Sequence, residues 1–318
     1  ETGRVNYNEY DSVTGRVKYS VTDIKTNAPP AQVTLGTVPD GFGTTEGLNL
    51  LTQYQHDSEG RTTKVTDPNG IVTYRVYLPN QTRVYPAWDA STSKPILPVQ
   101  VTVTNDSNQT TETYSVDPTN VTFSSIPDGS ETLPQSAYVE WTKYNYNDQG
   151  QMEWLRSYHN IPASGEGEIA TNYYQTTYAY DAQGQKILIT APTGAKTYTV
   201  YDQQGRTIET WVGTDATGAT QSNPAGEGTN NLKKIAATFY DEATIGGGTS
   251  GVGDGYATST RSYHGSGAND YVKTMYHYDY RGRLRGTDSQ GHDGSNWQTI
   301  APVSVQDVDN MGRSTAAA

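Results

Sequence analysis

The chain has 318 residues with no Cys, 25 Tyr and 32 Gly, and only 33% of its residues are hydrophobic. Its 22 Lys and Arg face 34 Asp and Glu, and the net charge of −12 opposes binding to nucleic acid and to anionic membranes. The lack of Cys excludes disulfides and thiolate metal sites, and no stretch approaches the roughly 18 consecutive apolar residues of a membrane helix. We therefore expect no nucleic-acid partner, no membrane insertion, and a fold that rests on tyrosines and strand pairing.

A repeat of 21 residues is the main signal along the chain. The head Tyr-Asp-Ala-Gln-Gly at 180–184 recurs as Tyr-Asp-Gln-Gln-Gly-Arg at 201–206, 21 residues later. A second window, 56–77, has the same interval, and both windows contain a Pro-x-Gly triplet whose glycine lies ten residues after that of the head, at 68–70 and 192–194. A fixed period of this length is typical of repeat architectures. The predicted signature residues are Tyr10, Asp11, Gly15, Arg16, His56, Asp57, Gly60, Arg61, Tyr180, Asp181, Gly184, Tyr201, Asp202, Gly205, Arg206, Tyr278, Asp279, Gly282, Arg283, Asp309, Gly312 and Arg313.

Each repeat predicts β-hairpins. An Asp followed three residues later by Gly is typical of a type I turn, in which the carboxylate accepts backbone N–H groups and the glycine closes the turn. The Pro-x-Gly triplet predicts a second turn, which leaves strands of about 5 residues between the turns. Alternating Thr, Tyr and Val favour strands over helices. The predicted fold class is all-β, with repetitive antiparallel hairpins and long loop insertions.

Three regions follow in chain order. Residues 1–90 predict repeat hairpins with a loop insertion, and residues 141–318 predict repeat hairpins with Gly-rich insertions. Between them, the Thr- and Val-rich residues 91–140 are either a sandwich-like insert or longer hairpins. Long loops on a rigid sheet are where binding function tends to lie. Such connections are predicted at 26–48, 163–168, 213–231 and 246–255.

The Tyr-Asp heads, the Pro-x-Gly turn between them and the closing Thr-x-Tyr resemble the RHS or YD-repeat family, and the Gly-rich connectors resemble those of very large bacterial members. The resemblance covers most of the chain in outline and leaves the insertions unmatched. It implies that the repeats wind into a β-spiral, a solenoid-like sheet whose strands form the wall of a hollow shell, as in the Tc toxin C component and the teneurins. Toxin-type members also carry a self-cleaving core, but no Pro-x-Asp-Pro-x-Gly block lies between residues 279 and 318, so proteolysis is not carried over.

Candidate chemistry is weak beside this repeat. Recurrence at a structural period favours turn closure by the Tyr-Asp pairs over sugar binding or acid–base catalysis. The pairs Asp254 with Asp270 and Asp288 with Asp293 would suit glycoside hydrolysis at carboxyl separations of about 5–10 Å, but solvated loops are the simpler interpretation. The five His show no metal-binding spacing. We predict no catalytic residue, no cofactor and no metal site.

Four Asn residues begin an Asn-x-Ser/Thr sequon and are candidate glycosylation sites. They cluster in one third of the chain, which indicates an exposed face. These residues are Asn80, Asn105, Asn108 and Asn120.

The favoured function is a non-catalytic structural segment of a large secreted or cell-surface protein, building a β-spiral wall or an extracellular fibre. Its expected partners are neighbouring repeats of the same long chain or copies of itself, because open sheet edges pair with further strands. One alternative is an adhesion or carbohydrate-binding module with glycan partners, using exposed Trp88, Trp211 and Trp297. A second alternative is the shell segment of a toxin-delivery protein.

Overall fold

The structure is a computed structural model, and several short segments of the chain fall outside its description. The described residues are 5–37, 45–123, 126–240, 255–265, 267, 269–279, 281–292, 295–300, 304–308 and 313–317. Four residues singled out in the sequence lie outside these ranges: Asp254, Asp293, Asp309 and Gly312.

Short strands joined by tight turns dominate the described residues, with two single-turn 3-10 helices at Pro118–Asn120 and Gln135–Ala137. The strands are β1 (Tyr7–Tyr10), β2 (Val17–Thr22), β3 (Leu50–His56), β4 (Thr62–Thr66), β5 (Val72–Leu78), β6 (Gln81–Asp89), β7 (Lys94–Pro95), β8 (Val99–Thr104), β9 (Thr110–Val116), β10 (Tyr138–Tyr146), β11 (Met152–Tyr158), β12 (Tyr173–Tyr180), β13 (Lys186–Thr190), β14 (Lys196–Tyr201), β15 (Thr207–Gly213), β16 (Lys233–Tyr240), β17 (Ala257–Tyr263), β18 (Tyr271–Tyr278), β19 (Leu284–His292), β20 (Trp297–Thr299), β21 (Ser304–Val308) and β22 (Ser314–Ala317). Within the described ranges, no helix is long and apolar enough to span a membrane.

The chain divides into two compact units, Glu1–Asn145 with Leu155–Gln175, and Tyr146–Trp154 with Thr176–Ala318. In the first unit, pairing runs from β1 through β6, then through β8 and β9 to β10, and each pair is antiparallel. In the second, each strand from β12 to β19 pairs antiparallel with the next, and β20 and β21 both pair with β19. The predicted all-β class of repetitive antiparallel hairpins is confirmed.

A core of aromatic rings and valines, which we call the aromatic core, lies in the first unit. Tyr85 is fully buried, and Trp88 and Trp141 are 7% and 6% exposed. The ring of Trp88 meets that of Tyr85 edge-on at 6.3 Å and that of Phe123 at 6.0 Å. Such pairs contribute about 0.5–1.5 kcal/mol beyond the area they bury. Large rings therefore supply much of the burial in a chain with few aliphatic residues.

Three long connections supply part of the apolar cover on the strands. Val121 and Phe123, from the segment between β9 and β10, pack into the aromatic core of the first unit. In the same unit, Ile24 and Val33 follow β2 and form a second cluster with Val21. In the second unit, Leu232 from the connection after β15 is buried with Tyr198 and Val200. Two of the connections predicted to carry binding function also pack against the strands, 26–48 through Val33 and 213–231 through Ala216 and Ala219.

Candidate functional site

The Asp-x-x-Gly heads fold as three-residue hairpin loops, and Asp181 gives the pattern. The Gly184 N–H donates to the Asp181 carbonyl oxygen at 3.1 Å, and the Asp181 N–H donates to the Gln185 carbonyl oxygen at 3.0 Å. Gly184 has φ +84°, the left-handed conformation that glycine adopts without strain. These features define a type I turn followed by a glycine bulge, a common three-residue hairpin connection. The Asp181 carboxylate reinforces it, because Oδ1 accepts the N–H groups of Gln183 and Gln185 at 3.0 and 2.8 Å.

The same turn recurs along the chain. In each copy the fourth residue donates its N–H to the carbonyl oxygen of the first at 2.9–3.0 Å. That fourth residue has φ between +58° and +83°. The further copies begin at Asp57, Asp67, Asn105, Asn147, Ala191, Asp202 and Asp279.

Two aspects of this series were not evident from the sequence. The Pro-x-Gly triplets, predicted to form the second turn of each unit, adopt the same turn geometry as the heads, with Asp67 or Ala191 as the first residue. The copy at Asn105 has Asn108 in place of the glycine, at φ +58°, so a search for Asp-x-x-Gly does not find it. Asn is the side chain that best tolerates this conformation, which would have been the signal.

Three of these eight turns have an Arg directly after the glycine. In each, the Arg Nε donates to the second carboxylate oxygen of the turn Asp at 2.7 Å, in the pairs Arg61 with Asp57, Arg206 with Asp202, and Arg283 with Asp279. The hydrogen bond from Arg283 is the main reason why the pKa of Asp279 falls to about 2. The carboxylate thus binds backbone N–H groups through one oxygen and a guanidinium through the other.

The tyrosine before the turn binds a different hairpin from its own. The Tyr201 hydroxyl donates to the Lys186 carbonyl oxygen at 2.9 Å, and Lys186 directly follows the preceding turn at that edge. In this case and in three others, the acceptor is the fifth residue after the first residue of the preceding turn. The other donors and acceptors are Tyr77 to Thr62 at 3.0 Å, Tyr180 to Met152 at 2.9 Å and Tyr240 to Thr207 at 3.4 Å.

Side chains also connect successive turns at the glycine. A Cβ on Gly205 would lie 2.9 Å from Gln185 Nε2, and one on Gly184 would lie 2.9 Å from Gln151 Nε2. Gln151 also donates to the Gly184 carbonyl oxygen at 3.1 Å. The side chain of the residue after one turn glycine therefore lies against the glycine of the following turn. Any larger residue in place of that glycine would collide with this side chain. We call the turns, tyrosine hydroxyls and intervening side chains the turn ladder.

The remaining signature residues have varied surroundings. Asp11 begins a turn that is one residue longer, in which the Gly15 N–H donates to the Asp11 carbonyl oxygen at 2.8 Å. Tyr10 is 57% exposed. Arg16 lies beside Gly60, 2.8 Å from where a Cβ would stand. His56 pairs with Thr62 across its hairpin in the place of a head tyrosine. Arg313 is exposed, and Tyr278 donates to the Ala257 carbonyl oxygen at 2.9 Å.

The proposed sugar-binding tryptophans are less available than the sequence suggested. The prediction that Trp88 is exposed is wrong, because it is packed in the aromatic core at 7% exposure. Trp211 is half-buried and donates through Nε1 to Glu209 at 2.8 Å. Trp297 is half-buried against the ring of Tyr271, with centroids 4.7 Å apart.

The two carboxylate pairs considered for hydrolysis each have a member outside the description. Of the described members, Asp270 accepts the Gly267 N–H at 2.7 Å, and Asp288 accepts Gln290 Nε2 at 2.5 Å. Both carboxylates are therefore engaged by neighbouring donors. Over the described part of the chain, no group of three or more His, Asp or Glu is arranged to hold a metal ion.

The sequons differ in their surroundings. Asn80, Asn108 and Asn120 are exposed, whereas Asn105 is half-buried. Asn105 Oδ1 accepts two backbone N–H groups of its own turn, both at 3.0 Å, which is the role that Asp has elsewhere. Glycosylation at all four remains a prediction.

Comparison with protein-family models gives no match, and no curated protein matches the chain. Among solved structures, the chain is similar to one in the crystal structure of TcdB2-TccC3 without hypervariable C-terminal region, with 17% identity over 99% of this chain and a TM-score of 0.49. It is also similar to a chain in the crystal structure of TcdB2-TccC3-TEV, with 16% identity over 99% of this chain and a TM-score of 0.49. A third similar chain is in the structure of the Photorhabdus luminescens Tc holotoxin pore, with 16% identity over 99% of this chain and a TM-score of 0.47. The chain spans 14% of the length of each of these three chains.

Proposed function

We propose that the chain is a non-catalytic structural segment, a stretch of β-sheet wall whose repeats are held in place by the preceding repeats. The observation that carries this proposal is the tyrosine hydrogen bond of the turn ladder, in which Tyr180 and Tyr201 both reach the residue that follows the preceding turn. A bond that recurs at one repeat position serves the packing of repeats rather than one local site. In the Tyr-Asp signature, the Asp thus forms a turn and the Tyr connects that turn to the preceding one.

The partners in this proposal are more repeats of the same kind. Repeat proteins gain stability from contacts between neighbouring units, so further repeats would extend the same ladder. The wall belongs to a larger shell outside the cell or at its surface, and delivery of a toxin is the version of this function that the YD-repeat resemblance suggests. The glycan-binding alternative loses support, since Trp88 is buried and Trp211 is bound to a neighbouring carboxylate.

Electron microscopy of the purified chain, with particle mass measured alongside, tests the proposal. We expect extended or hollow β-walled particles, with masses at whole multiples of the 34.6 kDa chain where copies join through their edges. Compact monomers with no tendency to join, together with turnover of a glycan substrate, would contradict a structural role.

A further inference from the structure

The tetrapeptide Arg-Ser-Tyr-His occurs twice, at 156–159 and 261–264, outside the 21-residue repeat. Each copy lies at the end of a strand and is followed by a connection to a strand that begins with Tyr. The His159 N–H donates to the Asn172 carbonyl oxygen at 3.0 Å, and the His264 N–H donates to the Asp270 carbonyl oxygen at 3.0 Å. The two segments therefore align residue by residue, and the strand residues that follow align as well.

The side chains of the two copies have the same geometry. The rings of Tyr158 and Tyr173 lie 5.1 Å apart at 49°, and those of Tyr263 and Tyr271 lie 5.2 Å apart at 49°. The Arg156 guanidinium lies 4.7 Å from the ring centre of Tyr173. Its counterpart lies 4.8 Å from the ring centre of Tyr271. One local site is thus built twice, once in each compact unit.

In the first copy a carboxylate from the connection completes the site. Arg156 Nη1 donates to Glu166 Oε2 at 2.5 Å, and Glu166 also pairs with Lys143. Arg156 Nε donates to Gln175 Oε1 at 2.8 Å. Glu166 lies in the connection 159–172, so the acid reaches the guanidinium on a loop of polypeptide.

In the second copy, no carboxylate of the described residues pairs with the cation. The Arg261 guanidinium lies 4.2 and 4.8 Å from the ring centres of Phe239 and Tyr271, and its buried Nε has no hydrogen-bond partner among the residues that the structure describes. The alignment puts Lys273 in the place of Gln175. Lys273 lies directly opposite Arg261 on the neighbouring strand. The connection contains no Glu, and Asp270 accepts the Gly267 N–H. None of the described carboxylates forms an ion pair with Arg261 or Lys273.

We propose that Arg261 and Lys273 form a receptor site for the carboxylate of an Asp or Glu on a separate polypeptide segment. The first copy identifies the chemistry, because there a Glu on a loop fills the equivalent place. The planar guanidinium is suited to carboxylate, and Lys273, directly opposite Arg261 in the strand register, adds a second positive charge. Segments of this composition are plentiful, since the chain itself has a net charge of −12. This site goes beyond the wall function, and it would join an acidic segment to the surface of the sheet.

The test uses the whole chain and a synthetic peptide of residues 160–172, which carries Glu166. Binding is followed by NMR at the Arg261 Nε–H resonance, which is assigned by its loss in Arg261→Lys. We expect a saturable shift, with affinity about tenfold weaker for the same peptide carrying Glu166→Gln, since one charge-assisted hydrogen bond is lost. Equal affinities for the two peptides, or no shift with either, would overturn the proposal.

Two further arms define the ligand and the site. Lys273→Gln restores the amide of the first copy, and we expect it to weaken binding of the acidic peptide about tenfold while circular dichroism stays unchanged. Unchanged affinity in that variant would remove Lys273 from the site. Acetate is titrated at constant ionic strength, and a shift at the same concentrations as the peptide would overturn the assignment to a polypeptide carboxylate.

Discussion

The Tyr201 hydroxyl lies 2.9 Å from the carbonyl oxygen of Lys186 and donates to it. Lys186 follows one hairpin turn, and Tyr201 precedes the next turn at the same edge of the sheet. One hydrogen bond therefore connects two successive turns. The same separation of 15 residues joins Tyr77 to Thr62. The 21-residue repeat therefore keeps Tyr77 and Tyr201 in reach of the preceding turn, whereas Tyr180 and Tyr240 bind acceptors 28 and 33 residues away.

Removing a turn carboxylate is expected to destabilise its hairpin. Asp202 Oδ1 accepts the N–H groups of Gln204 and Arg206 at 2.9 Å, and Oδ2 accepts Arg206 Nε at 2.7 Å. Asp202→Ala should lower the free energy of unfolding by about 1–2 kcal/mol, because these donors lose their acceptor. Denaturant unfolding measures the change. Asp202→Asn should cost less, since Asn147 accepts the same backbone bonds in its own turn.

The control for that variant is Asp148→Ala, at an exposed residue within the turn that begins at Asn147. We expect a change of less than about 0.5 kcal/mol there. An equal loss at Asp148 and Asp202 would mean that the carboxylate bonds contribute nothing specific to the turn.

The glycine of the turn is expected to resist replacement. Gly205 has φ +82°, and a Cβ there would lie 2.9 Å from Gln185 Nε2. Gly205→Val should therefore lower the free energy of unfolding by about 1 kcal/mol or more, through backbone strain and collision. Gly184→Val should behave alike, since Gly184 has φ +84°. Gly36→Val is the control, because no described heavy atom beyond its chain neighbours lies within 4 Å of its Cβ position. Melting temperatures that are unchanged in all three variants would contradict the turn geometry.

Acid is expected to weaken the head at Asp279. Its pKa falls from 3.8 to about 2, chiefly because Arg283 donates to it, so the carboxylate stabilises the folded chain when it is charged. This contribution is fully present above the unfolded-state pKa and is lost as the pH falls from about 4 through 2. The stability difference between the natural chain and Asp279→Asn should close over that interval. A difference that stays constant down to pH 2 would show that the charge is not the cause.

A buried carboxylate is expected to hold the segment between β9 and β10 on the sheet. Glu131 is 6% exposed and accepts the Tyr85 hydroxyl at 2.9 Å and the Gly129 N–H at 3.0 Å. Tyr85→Phe removes one donor and should cost about 1–3 kcal/mol. Glu131→Ala should cost about 3 kcal/mol or more, because Arg83, whose Nη1 lies 3.8 Å away, loses its charge partner.

A double-mutant cycle on Tyr85 and Glu131 separates the pair from its surroundings. Residues in one hydrogen-bond network typically couple by about 0.5–3 kcal/mol. Strictly additive losses would mean that the hydroxyl and the carboxylate act independently.

The sequence predicted the hairpins well because turn chemistry is local. An Asp followed three residues later by a Gly favours a hairpin turn independently of the rest of the chain. The sequence did not predict the contacts between successive turns. The tyrosine acceptors are backbone carbonyls, which have no sequence signal, and the turn at Asn105 has Asn108 in the glycine position. Nor did it reveal the buried role of Glu131, since burial of an acid depends on Tyr85, 46 residues away. The paired Arg-Ser-Tyr-His segments were missed because they do not follow the 21-residue period.

The measurement that tests the turn ladder most directly is the free energy of unfolding after removal of its tyrosine hydroxyls. Tyr180→Phe and Tyr201→Phe each delete one bond between successive turns, and each should cost about 0.5–1.5 kcal/mol. The control is Tyr174→Phe, at a tyrosine that is 51% exposed. We expect the two ladder variants to lose stability and the control to lose none. Equal stability in all three would contradict the claim that these tyrosines hold the repeats together.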